Sequence, residues 1–124
     1  MKKLAAILVL ALTTSCSAQE KKCSDFKIGS FIYSDPLYAN LKVIRTDSTQ
    51  IEIDVKSGFE MQSSIKWIDD CNYLLTTTKV LNADLEKALG KTIEVEIVET
   101  KFDSYTLRSN SENGNLELEM QRID

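Results

Sequence analysis

The 124-residue chain contains no histidine. That absence removes Ser–His and Cys–His activation of a nucleophile, together with the commonest zinc ligand. Its four glycines are scattered, so no glycine-rich loop is present to cradle a phosphate. The three cysteines, at 16, 23 and 71, never stand in the Cys-X-X-Cys spacing of redox chemistry. Basic residues number 15 against 19 acidic ones, too few and too dispersed to neutralise a phosphate backbone. Asp69-Asp70 are the nearest approach to a paired-acid or calcium site, but neighbouring acids at a turn usually serve as solvated turn residues. No enzyme activity, cofactor or metal is therefore expected, and no nucleic acid as partner.

A long apolar run is also missing. The longest extends from Leu4 to Leu12. Nine helical residues would reach about 14 Å at 1.5 Å each, against roughly 30 Å of bilayer hydrocarbon. Lys2-Lys3 precede the run, and the small residues Thr13, Thr14 and Ser15 follow it. A basic start, a short apolar stretch and a small-residue exit make a secretory signal peptide over residues 1–15. Leu12-Thr13-Thr14-Ser15-Cys16-Ser17 resembles the lipoboxes of Bacteroidetes lipoproteins, which implies lipidation at Cys16 with a fatty acyl group such as palmitate. Cleavage after Ala18, giving a secreted or soluble periplasmic protein, is the competing reading. Cysteine parity favours lipidation, because it leaves Cys23 and Cys71 as an even pair for a disulfide in an oxidising compartment. Cleavage before Cys16 leaves 13 basic and 19 acidic residues, a net charge of −6. Residues 16–22 then read as a lipidated tether, and 23–124 as a single domain lying in the cell envelope, facing the periplasm.

Within that domain the dominant period is two. Ile51, Ile53 and Val55 alternate with Gln50, Glu52 and Asp54; Ile93, Val95 and Ile97 with Glu94 and Glu96; Leu116, Leu118 and Met120 with Glu117 and Glu119. Alternation of this kind places one face in a core and the other in water. All three apolar series are expected to point inward. Turn signals fall at Asp35-Pro36, Asp47-Ser48, Ser57-Gly58, Asp69-Asp70 and Asn113-Gly114, the last predicting a type I′ hairpin. They delimit eight strands: 26–33, 41–46, 49–56, 59–68, 71–80, 92–100, 104–109 and 115–122. One short helix is predicted between strands 5 and 6, capped by Asn82 and stopped at Gly90. The fold expected is mainly β, an antiparallel meander of about eight strands closing into a barrel.

Three stretches carry a resemblance: 23–33 (Cys-Ser-Asp-Phe-Lys-Ile-Gly-Ser-Phe-Ile-Tyr), 44–52 (Ile-Arg-Thr-Asp-Ser-Thr-Gln-Ile-Glu) and 65–73 (Ile-Lys-Trp-Ile-Asp-Asp-Cys-Asn-Tyr). They resemble a group of small flavobacterial exported proteins and lipoproteins. The likeness implies no established activity. Relatives often carry the label "DNA topoisomerase IV", but the gate and ATPase domains of such an enzyme have no room in a short acidic chain. Gly29-Ser30-Phe31 is also similar to the Gly-X-Trp of lipocalins, with Phe in place of Trp. Arg122 stands where such barrels set a basic residue over that aromatic.

If the barrel is lipocalin-like, Phe31, Tyr33, Trp67 and Tyr73 are candidates to line a ligand pocket, with Arg45 or Arg122 anchoring an anion. The competing view is that these side chains simply fill the interior. Two functions follow as expectations: a lipid-anchored envelope domain that binds a small apolar ligand, or an envelope protein–protein interaction module that uses its sheet face or an open edge.

Overall fold

A computed structural model describes residues 22–124, so the expected signal peptide and the expected lipidation of Cys16 lie outside the described residues. Eight strands form the fold: β1 Gly29–Tyr33, β2 Leu41–Arg45, β3 Thr49–Asp54, β4 Glu60–Asp69, β5 Asn72–Leu81, β6 Thr92–Thr100, β7 Ser104–Ser111 and β8 Gly114–Arg122. Each pairs antiparallel with its neighbour in sequence, and β8 returns to β1, with Phe31 opposite Arg122 and Tyr33 opposite Met120. The barrel is closed. Closure gives every strand a paired neighbour on both sides, so the sheet has no edge strand to serve as the expected docking edge.

Up-and-down order sorts the connections between two ends. The turns after β2, β4 and β6 gather at one end, and the loops after β1, β3, β5 and β7 at the other. The first end is sealed by a 3₁₀ turn, Cys23–Phe26, in place of the expected start of a strand. Phe26 is completely buried against Tyr105, their ring centroids 5.1 Å apart. A disulfide joins Cys23 to Cys71 in the β4–β5 turn, as cysteine parity suggested. Arg122 adds a clamp from β8. It donates to the carbonyls of Asp25 and Ile28 while its guanidinium lies over the rings of Phe26 and Phe31, 5.4 and 5.2 Å from their centroids. Gly29 is required beneath it, because a Cβ there would stand 2.5 Å from Arg122 Nη1 and the residue adopts φ +147°.

The other end differs from expectation in two places. Residues 83–89 do not form the predicted helix; only a 3₁₀ turn, Glu86–Ala88, appears. Leu85 and Leu89 remain exposed, and two turns of helix without a surface to pack on are not stable in water. Asn82 does not cap a helix. It takes a left-handed φ of 60° and donates its side-chain amide to the Gly58 carbonyl at 2.8 Å, tying two end loops together. The β7–β8 hairpin is not type I′ either. Gly114 alone has positive φ, +111°, while Asn113 does not. The two-residue loop is instead Glu112-Asn113, one position earlier, closed by the Ser111–Gly114 pair.

Register is where the sequence reading fails most informatively. Val95 and Ile97 are buried, Ile93 lies beside them, and Leu116, Leu118 and Met120 face inward as expected. β3 is inverted. Gln50 is buried and Glu52 points into the barrel, whereas Val55 is 65% exposed. The cause lies in the cross-strand rows. Phe31 pairs with Val43, and Val43 pairs with Glu52; in the next row Gly29 pairs with Arg45, and Arg45 with Gln50. Residues in a row share a face. Burying Phe31 and Val43 therefore draws Glu52 inward with them, and Ile51 and Ile53 go outside.

Candidate functional site

The inversion of β3 gives the barrel a polar interior layer. Arg45 is 2% exposed and nearly saturated by protein partners. Its Nε donates to Gln50 Oε1 at 3.0 Å and its Nη1 to the Phe26 carbonyl at 2.8 Å. Its Nη2 donates to the hydroxyls of Tyr105 at 2.7 Å and Tyr73 at 3.3 Å. A guanidinium has five N–H groups, and these bonds occupy four. The flanking rings of Phe31, Tyr73 and Tyr105 add face contacts, with centroids at 4.9, 5.2 and 5.7 Å. Arg45 is thus held as a structural floor, with one of its five N–H groups left for the anion it was expected to anchor.

Above that floor lies a cavity of about 230 Å³. Leu75, Ile93, Val95, Leu107, Leu118 and Met120 form apolar walls, and Tyr38, Leu41 and the half-exposed Leu116 stand toward the loop end. The sealed end is filled, so the cavity is blind. Its volume is just under the roughly 300–1,000 Å³ of sites for drug-sized ligands. A larger hollow, about 420 Å³, runs outside the barrel along Ile68, Asp69, Glu94, Glu96 and Asn110. All five of those side chains are exposed, so it is a solvated furrow.

Glu52 is the cavity's acid. Tyr33 donates its hydroxyl to Glu52 Oε1 at 2.6 Å, and Gln50 Nε2 donates to the same oxygen at 3.4 Å. Gln50 thereby spans the buried cation and the half-buried acid, one end of its amide on each. Burial pushes the Glu52 carboxyl above its ordinary range, against the opposing pull of the Tyr33 hydrogen bond and of Arg45. Burial, and next the nearby carboxylate, push the Tyr33 phenol well above 10. Burial does the same for Tyr73, with Tyr105 adding to it. Both phenols are therefore neutral donors and acceptors.

Of the six residues read as candidate ligand contacts, the structure brings three together at the cavity: Tyr33, Arg45 and Tyr73. Phe31 is core packing beneath Arg45. Arg122 belongs to the sealed end. Trp67 packs on Tyr73 at 4.5 Å with Lys27 over its ring, away from the cavity. Its Nε1 is the single buried side-chain polar atom without a partner among the described residues. Gln50, Glu52 and Tyr38 were missed. Asp69 and Asp70 prove to be turn residues: Asp69 accepts from Asn72 and from the Cys71 N–H, which lowers its pKa, and Asp70 pairs with Lys27 at 2.9 Å in solvent. Among the described residues no group of acids or cysteines converges as a metal site, and no helix is long and apolar enough to cross a membrane. No protein-family model, curated protein or solved structure matches the chain, so the site stands on its own geometry.

Proposed function

We propose that this chain is a lipid-anchored cell-envelope barrel that binds a small, largely apolar ligand without chemically changing it. One observation carries the binding reading: a blind interior cavity with largely apolar walls and a hydrogen-bonded polar floor. A barrel this small is ordinarily filled by its own side chains. Here the space above Arg45 is left open. The anchoring half of the proposal draws support from the cysteines, since the Cys23–Cys71 bridge leaves only Cys16 unassigned. Native mass spectrometry of the protein purified from its own membrane tests the first half. A bound small molecule is the expected result, and uniformly empty protein that also rejects a panel of small apolar compounds overturns it. Palmitate labelling tests the second. Cys16→Ser should lose the label and leave the membrane, and a mature N-terminus at Gln19 would refute the anchor.

A second reading has its own observation. The inversion of β3 puts Ile51 and Ile53 on the outer wall, beside Ile44 and Ile32, all only partly covered. This apolar strip suits contact with an envelope protein. Ile44→Lys combined with Ile51→Lys should abolish any co-purifying protein partner without emptying the cavity.

A further inference from the structure

Glu52 is only half satisfied. Both of its hydrogen bonds arrive at Oε1, and Oε2 receives none from any described residue. Nor is Oε2 sealed away, since the only buried orphan among the described side chains is Trp67 Nε1. A free carboxylate oxygen therefore opens into a chamber walled mainly by apolar side chains, in which Glu52 is the one acid. It also stands nearer the mouth than the floor, because Glu52 lies one inward row above Gln50 and Arg45. A molecule coming from the loop end meets Glu52 before Arg45. The rings of Tyr33 and Tyr38, with centroids 5.5 Å apart, line the same part of the cavity. A carboxylate oxygen beside aromatic faces is what an ammonium group needs: an acceptor for a charge-assisted hydrogen bond and π faces for the remaining charge. A carboxylate ligand would instead meet a like charge at Glu52 and find four of the five donors of Arg45 occupied.

We infer that the ligand is a small primary amine on an apolar skeleton, its ammonium on Glu52 Oε2 between Tyr33 and Tyr38 and its hydrocarbon against the walls of the cavity. This rests on the reading of the barrel as a ligand-binding module and names the chemistry that module selects. The chain's net charge of −4 favours the approach of such a cation.

Isothermal titration of the purified full chain with n-hexylamine, 1-hexanol and hexanoate separates this inference from the reading beneath it. At about pH 8 the amine should bind at least about tenfold more tightly than the alcohol, and hexanoate more weakly than either. Glu52→Gln preserves size and the bond from Tyr33; it should bring the amine down to the alcohol's affinity and leave the alcohol unchanged. A second measurement needs no variant. On acidification the wild-type affinity for the amine should fall while that for the alcohol holds. Tyr33, Arg45 and Tyr73 bear on Glu52 from β1, β2 and β5, and these two phenols stay neutral and the guanidinium charged throughout the acidic range. Asp54, the next inward position on β3, is held by the N–H groups of Lys56 and Ser57 in the turn. Equal binding of amine and alcohol by the wild type overturns the inference alone, as does an amine preference that survives Glu52→Gln. If none of the three compounds binds, both the inference and the ligand-binding reading fall.

Discussion

Arg45 and Glu52 set the chemistry of the interior, and each makes a separate prediction. Arg45→Leu should destabilise by about 3–5 kcal/mol, because it strands the Gln50 amide, two phenols and the Phe26 carbonyl in a desolvated layer. Arg45→Lys should recover little of that loss, since one ammonium cannot reproduce a planar fork reaching four acceptors. Urea unfolding midpoints of the two variants check both statements. Glu52 acts in the opposite sense. Its folded carboxyl holds a proton more tightly than the unfolded chain does. Between the two titrations the folded state therefore binds more protons, and stability falls as pH rises through that window, then levels off. Glu52→Gln removes this term. The variant should melt higher than wild type at about pH 8, with the advantage vanishing below about pH 4. Asp54 and Asp69, whose pKa values are lowered, contribute stability that is lost on acidification. They are common to both proteins and cancel in the difference. A wild type that melts higher than Glu52→Gln at pH 8 would show that Glu52 stabilises the barrel after all.

At the scale of single strands, β3 and β6 make a matched pair. Both alternate isoleucine or valine with acids, and in sequence they look alike. They occupy opposite phases. Val95→Asp should cost about 3 kcal/mol or more by placing a charge in the packed interior. Ile51→Thr, on the outer wall, should cost within about 1 kcal/mol. Similar denaturation midpoints for the two would contradict the observed register. The eight strands, their meander order and the closure were legible, because turn residues fall at short, even spacing and period two is strong in most of the strands. The phase of β3 was not legible from its own alternation, which is equally regular either way. What fixes it is the turn at Asp47-Ser48, which sets Arg45 opposite Gln50 and Val43 opposite Glu52. Reading that hairpin as a pair of rows would have brought Gln50 and Glu52 to the same face as Arg45. The helix over 83–89 was misread for another reason: good local propensity was present, but no apolar surface was left over for Leu85 and Leu89.

Over the whole molecule, the sealed end is held by one covalent bond and several weak ones. The Cys23–Cys71 bridge spans a sequence separation of 48. Closing such a loop removes denatured-state entropy worth about 4 kcal/mol in the chain-entropy model. Cys23→Ser, Cys71→Ser and the double variant should lose similar amounts, because each opens the same loop. Midpoints that fall further in the double variant than in either single one would mean that the two thiols act separately. The filled end beneath Arg45 also has a kinetic consequence. A tube stopped at one end has a single doorway, so loading and unloading follow the same path in opposite directions. A competitor cannot push a resident molecule out from behind. It must wait until the first has left. If the cavity takes a ligand as proposed, exchange should therefore proceed at the resident's own departure rate, whatever the concentration of the incoming ligand. Stopped-flow displacement should give one rate that stays flat as competitor rises.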